Sequence, residues 1–169
     1  MKQFKTLFIA AALFITATTL TTAQTKVAHI NTTELVTAMP QMKTAQAEVE
    51  KLGKTYEADI QAMVKEYQAK MKQYEAEAGT KTEEENTKRV AEVQTMERNI
   101  QQFQTQAQQE LQKKEVDLLK PITEKAKAAI LKVAKAQGFQ YVLDSAQGGG
   151  VIMAEGKDLL ADVKKELGF

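Results

Sequence analysis

The sequence predicts an α+β protein: a small β-rich body with a long antiparallel α-helical coiled-coil hairpin inserted into it. Three observations predict this. Residues 41–115 hold nine Leu, Ile, Val and Phe in 75 positions, whereas 24–40 plus 116–169 hold 21 in 71. One core spread over the whole chain is therefore excluded. Second, an apolar stripe at helical spacing runs outward from Pro40, and another runs back toward Pro121. Third, Gly79-Thr80-Lys81-Thr82 is a natural turn between them. The body is assigned to 24–40 plus 116–169, and the arm to 41–115 with its tip near 79–82.

Residues 1–23 read as a cleavable secretory signal. Lys2 and Lys5 form a basic start, Leu7 to Ala17 an apolar core, and Thr21-Thr22-Ala23 a small-residue end. Cutting there leaves Gln24 first, 146 residues, and a formal charge of −1. Gln24 is not the cysteine that a bacterial lipid anchor needs. No later apolar stretch is long enough to span a bilayer, which takes about 20 residues. The sequence has no cysteine, so it has no disulfide framework, thiol nucleophile or Cys-based metal site.

Residues 26–30 read as a short strand. Asn31 then caps a short helix through about Ala38, with Glu34 at capping-box spacing. Pro40 breaks that helix and starts the next. Val49, Leu52, Tyr56, Ile60, Met63, Tyr67, Met71 and Tyr74 recur at steps of three and four, close to a heptad period. Thr82 and Glu85 form a second capping box. The return stripe is Val90, Val93, Met96, Ile100, Phe103, Ala107 and Leu111.

Pro121 is expected to interrupt or kink the return helix. Ile122, Ala126, Ala129, Ile130 and Val133 then form a richer apolar face, which Gly138 ends. Phe139–Leu143 reads as a strand, Gly148–Gly150 as a turn, and Val151–Met153 as the paired strand. Asp158 caps a last helix through about Leu167. Some 70 body residues form a marginal core, and three strands leave open edges. Oligomerisation is the expected remedy for both.

The charge is balanced in every region, which gives no nucleic-acid footprint and no strong steering of a charged partner. Gly150, Gly156 and Lys157 suggest a phosphate loop only superficially. The spacing between the glycines is five residues rather than four, and Asp158 stands where Ser or Thr would bind magnesium. His29 is the only histidine and Ser145 the only serine after the signal, so neither a zinc site nor a triad can be assembled from the usual residues. The chain reads as a binding protein without cofactor or metal, not an enzyme. Tyr56, Met63, Tyr67, Met71, Tyr74, Met96 and Phe103 are the candidate binding residues. Each can zip the hairpin or face outward, and Tyr and Met suit adaptable apolar contacts.

Lys26-Val-Ala-His-Ile-Asn31, Gly138-Phe-Gln-Tyr-Val-Leu-Asp144 and Gly156-Lys-Asp-Leu-Leu-Ala-Asp-Val163, flanking the long hairpin, resemble the Skp/OmpH family of periplasmic chaperones. The resemblance covers about 24–169. It implies a homotrimer whose three arms enclose a cavity. It also implies capture of unfolded outer-membrane proteins there, without ATP, on their way across the periplasm. Val27, Ile30, Phe139, Tyr141, Leu143, Val151 and Met153 would belong to body strands that also hold the trimer together. Gly53, Gly79 and Pro121 are candidate hinges for arms that flex around clients of different size. Family members can have strongly basic arms that attract acidic clients and lipopolysaccharide. Here each limb sums to −1, which argues against lipopolysaccharide binding. The alternative is a periplasmic coiled-coil adaptor for one folded partner.

Overall fold

The computed structural model describes residues 25–169; the expected signal at 1–23 lies outside them. The elements are β1 (Val27–Ile30), α1 (Thr32–Ala38), α2 (Pro40–Glu77), a 3₁₀ turn (Ala78–Thr80), α3 (Glu83–Ala136), β2 (Tyr141–Asp144), β3 (Lys157–Asp158) and α4 (Leu160–Leu167).

Local chemistry explains the helix ends. Asn31 Oδ1 accepts the Glu34 N–H at 2.9 Å. The Glu34 carboxylate turns to Lys164 of α4 at 3.6 Å instead of back to the cap. Met39 is extended and Pro40 takes the first helical position, where its missing N–H costs nothing. At the tip, Thr82 and Glu85 complete a reciprocal capping box. At the far end of α3, Gly138 adopts φ 74°. Its N–H donates to Lys135 O and the Phe139 N–H donates to Ala134 O at 3.0 Å. This is a Schellman ending, which a glycine accommodates without a Cβ penalty.

Of the two outcomes expected at Pro121, interruption of the helix is corrected. α3 runs unbroken for 54 residues with Pro121 inside it. An interior proline costs about 3 kcal/mol. Here it is exposed, while Ile122, Ala126, Ala129 and Val133 around it are buried in the core. Packing of that face outweighs the lost hydrogen bond. The Thr123 hydroxyl also donates to Lys120 O at 2.8 Å and to Leu119 O at 3.1 Å.

The sheet is also corrected. Phe139–Leu143 and Val151–Met153 do not form a pair of strands. β2 starts two residues later, because the Phe139 N–H is already used by the helix ending. Both β2 and β3 pair parallel to β1, in the order β2-β1-β3. Val151–Met153 is part of the connection, and the third strand is the two-residue Lys157–Asp158. Asp158 acts just ahead of the last helix, where its Oδ1 accepts the Leu160 N–H at 2.8 Å.

The core lies between the sheet and the helices. Ile30, Leu35, Met39, Leu159 and Val163 are essentially fully buried, with Phe139 and Val142 packed against them. Of the body residues singled out from the sequence, Val27, Tyr141, Leu143 and Met153 are 44, 61, 44 and 73 % exposed within one chain, and Val151 is half-buried. The reason is alternation along a strand. Ala28 and Ile30 point to the helices, so Val27 and its register partner Tyr141 point away, as does Leu143.

Asp144 ties the sheet to α1. Its Oδ2 accepts the Thr32 hydroxyl at 2.6 Å, and its Oδ1 accepts the N–H groups of Thr32 at 3.2 Å and Ala146 at 3.0 Å. Burial pushes its carboxyl up, but these three donors together hold it below the ordinary value of 3.8. A depressed carboxyl stabilises the fold above its unfolded value and loses that contribution as pH falls through the folded one. Asp144→Ala is therefore expected to cost about 2 kcal/mol in urea unfolding at pH 7, from donors left without a charged acceptor. The difference from wild type should shrink progressively below pH 3.8.

Candidate functional site

The arm is built from α2 and α3, which run antiparallel. Cross-helix pairs mark the alignment from base to tip: Glu48 with Lys114 at 3.0 Å, Tyr56 with Glu110, Lys70 with Glu92, and Glu77 with Arg89 at 2.5 Å. The numbers of each pair sum to nearly the same value, so the helices keep one register along their shared length.

Most of the candidate binding residues sit in the seam between the helices. Tyr56, Met63, Tyr67, Tyr74, Met96 and Phe103 are all half-buried. Tyr56 and Phe103 meet edge to face, with ring centroids 5.9 Å apart. This is a geometry favoured by the ring quadrupole. The Tyr56 hydroxyl donates to Glu110. Met63, Met96 and Ile100 line one recess between the helices. The Tyr74 hydroxyl donates to Glu92 at 2.6 Å. Hydrogen bonds from Lys70 and then from Tyr74 hold the Glu92 carboxyl below its ordinary range.

Near the tip the pattern inverts. Stepping from Tyr67 to Tyr74, the seam position falls on Lys70, and Met71 is turned out to 44 % exposure. Stepping back from Met96 and Val93, it falls on Arg89, whose side chain is 17 % exposed, while Val90 is turned out to 57 %. Arg89 fits the seam because its guanidinium lies 4.5 Å from the centre of the Tyr74 ring and pairs with Glu77. Placing Val90 on the return stripe is corrected by the same geometry. The heptad step from Met96 to Arg89 was the signal that pointed to it.

Met71, Tyr74, Val90 and Val93 line one open cleft of about 490 Å³ beside the tip. Val90 was not among the binding candidates and joins Met71 there. The rim holds Glu75, Asn86, Arg89 and Gln94, so no single sign of charge dominates. The cleft suits an uncharged, apolar segment. Among the described residues, no group of His, Asp and Glu is clustered to hold a metal ion, and no helix is long and apolar enough to cross a membrane.

The hinge candidates lie in different settings. Gly53 is inside α2 and faces Leu111, Gly79 is in the 3₁₀ turn, and Pro121 is on the exposed side of α3.

Residues 26–167 match the family described as outer membrane protein (OmpH-like). The fold is similar to the crystal structure of a Caulobacter crescentus protein described as an OmpH-like outer membrane chaperone. The TM-score is 0.76 at 18% identity, covering 85% of this chain and 83% of that chain. At that identity the likeness speaks for the fold alone. No curated protein sequence matches the chain.

A Cβ at Gly53 would lie 4.0 Å from Leu111 Cδ2, an ordinary contact. Gly53→Ala is therefore expected to stabilise the arm by about 0.5–1 kcal/mol through helix propensity. Thermal unfolding followed by circular dichroism checks this, with a higher midpoint expected.

Proposed function

This chain belongs to the OmpH-like family, and we propose that it is an ATP-independent holdase chaperone of the periplasm. In this reading residues 1–23 are the export signal, and the mature chain works as a homotrimer. Unfolded outer-membrane proteins are held between its arms and kept from aggregating. No cofactor, metal or nucleic acid takes part.

The observation that carries the reading is the inversion near the tip. Charged side chains occupy the seam, and Met71 and Val90 face water beside an open cleft. Met71 and Val90 line the same cleft with Tyr74 and Val93, an apolar surface that a partner can cover. Methionine adapts to many shapes, which suits clients without a fixed structure. The balanced rim favours apolar contact over charge attraction, in keeping with limbs that each sum to −1 and against lipopolysaccharide as a ligand. The half-buried tyrosines and Phe103 hold the arm together, and Tyr74 also lines the cleft.

The test dilutes a urea-unfolded outer-membrane barrel protein into buffer with the mature protein and follows light scattering. Stoichiometric suppression of aggregation is expected. The double variant Met71→Ser, Val90→Ser is expected to bind the client roughly tenfold more weakly, from the lost burial of two apolar side chains. Its helicity should be unchanged. No suppression by the intact assembly, together with a saturable complex with one native protein, would instead identify an adaptor.

A further inference from the structure

The pattern that builds the tip cleft recurs at the base of the arm. On α2 the tip cleft is lined by Met71, Tyr74, Glu75 and Ala78. A second cleft is lined by Met42, Ala45, Gln46 and Val49, the same spacing 29 positions earlier. On α3, Val90, Val93 and Gln94 recur as Glu115, Leu118 and Leu119, 25 positions later. Those shifts are about eight and about seven whole turns of helix. The two clefts therefore open on the same side of the arm, about 43 Å apart along α2. Lys51 stands about two and a half turns from Met42, on the opposite side, where it lines a charged groove with Lys113 and Lys114.

The base cleft encloses about 270 Å³, and its lining holds no lysine or arginine. Met42, Val49, Leu118 and Leu119 make it apolar, and its exposed charges are Glu50 and Glu115. Glu50 pairs with Lys54 at 2.6 Å in an exposed bridge. The residues three and four positions from Glu115 are Leu111, Gln112, Leu118 and Leu119, so no cation neighbours it on its own helix. The tip cleft has a rim of balanced charge; the base cleft has an acidic one. Charge complementarity therefore adds a cation to what an apolar occupant must supply.

We infer that the base cleft is a second client site, taking an apolar segment that carries a lysine or arginine, so that one unfolded chain is gripped at both ends of one side of the arm. This rests on the holdase reading and names the chemistry of the segment held. An unfolded chain is the fitting occupant because one seated at the tip reaches the base with about 13 extended residues.

The sequence lacks cysteine, so a single one in the mature protein takes a polarity-sensitive dye at that place alone. On mixing with a urea-unfolded outer-membrane barrel protein, dye at Glu115→Cys and at Val90→Cys is expected to shift to the blue. Dye at Lys51→Cys is expected to stay unchanged. A second measurement reads the charge by fluorescence anisotropy. Two unstructured peptides share one apolar run, flanked by lysines in one and by glutamates in the other. Wild type is expected to bind the lysine peptide about threefold more tightly, and Glu115→Lys, an exposed position, to lose that preference with helicity unchanged. A silent dye at Glu115→Cys overturns the inference, as does an equal shift at Lys51→Cys. A lysine preference that is absent from wild type, or that survives Glu115→Lys in full, also overturns it. If Val90→Cys responds in those cases, the holdase reading stands. Silence at both positions with no suppression of aggregation overturns the holdase reading as well, so the two failures are told apart.

Discussion

The pairing of β1 with β2 is the constraint on which the rest of the fold depends. Lys26 N–H and the Gln140 side chain, 114 positions apart, meet at the start of this ladder at 2.6 Å, and Val27 then aligns with Tyr141. Closing a loop of that length costs about 4 kcal/mol in chain entropy if the loop is flexible. Four residue pairs of a ladder do not readily offset that. The helices do, by turning most of the loop into two rods that return to their starting point. The crossover that parallel strands require is here the whole arm.

From that constraint follows the division of labour along α3. Its first two-thirds pair with α2 through a narrow seam and leave most of the surface in water. Its last third enters the body, where Ile122, Ala126, Ala129 and Val133 are buried. One continuous helix thus spans arm and core, and Pro121 sits at the join without interrupting it. At the other end of the arm the seam relies less on apolar packing. Lys70, Arg89, Glu77 and Glu92 knit around Tyr74, and the apolar side chains released from the seam face outward.

Much of this was legible in the sequence, because its signals are local. Asn31, Pro40, the Thr82–Glu85 box and Gly138 act within a turn of their own position, and the structure places helix ends at all four. The long stripes read correctly wherever the seam is apolar. They misled at Val90, where a charged residue with an aromatic neighbour takes the inner place. Pro121 misled because local propensity was outweighed by packing it cannot report. The sheet misled most. A strand of only Lys157 and Asp158 has no apolar alternation, whereas Val151-Ile152-Met153 has the composition of a strand and lies in a connection. Burial of Val27, Tyr141 and Leu143 could not be judged from their apolar character, since that character suits an interface as well as a core.

The common register of α2 and α3 makes the arm a ruler. Both limbs are fixed to the body at one end and to one tight turn at the other. A length change in one limb alone would slide every later seam pair out of step or bulge the chain. A change of seven residues in each limb keeps the seam aligned and moves the tip by about 10 Å. Lengths in this architecture are therefore set in matched heptad steps, and reach can vary while the body stays the same.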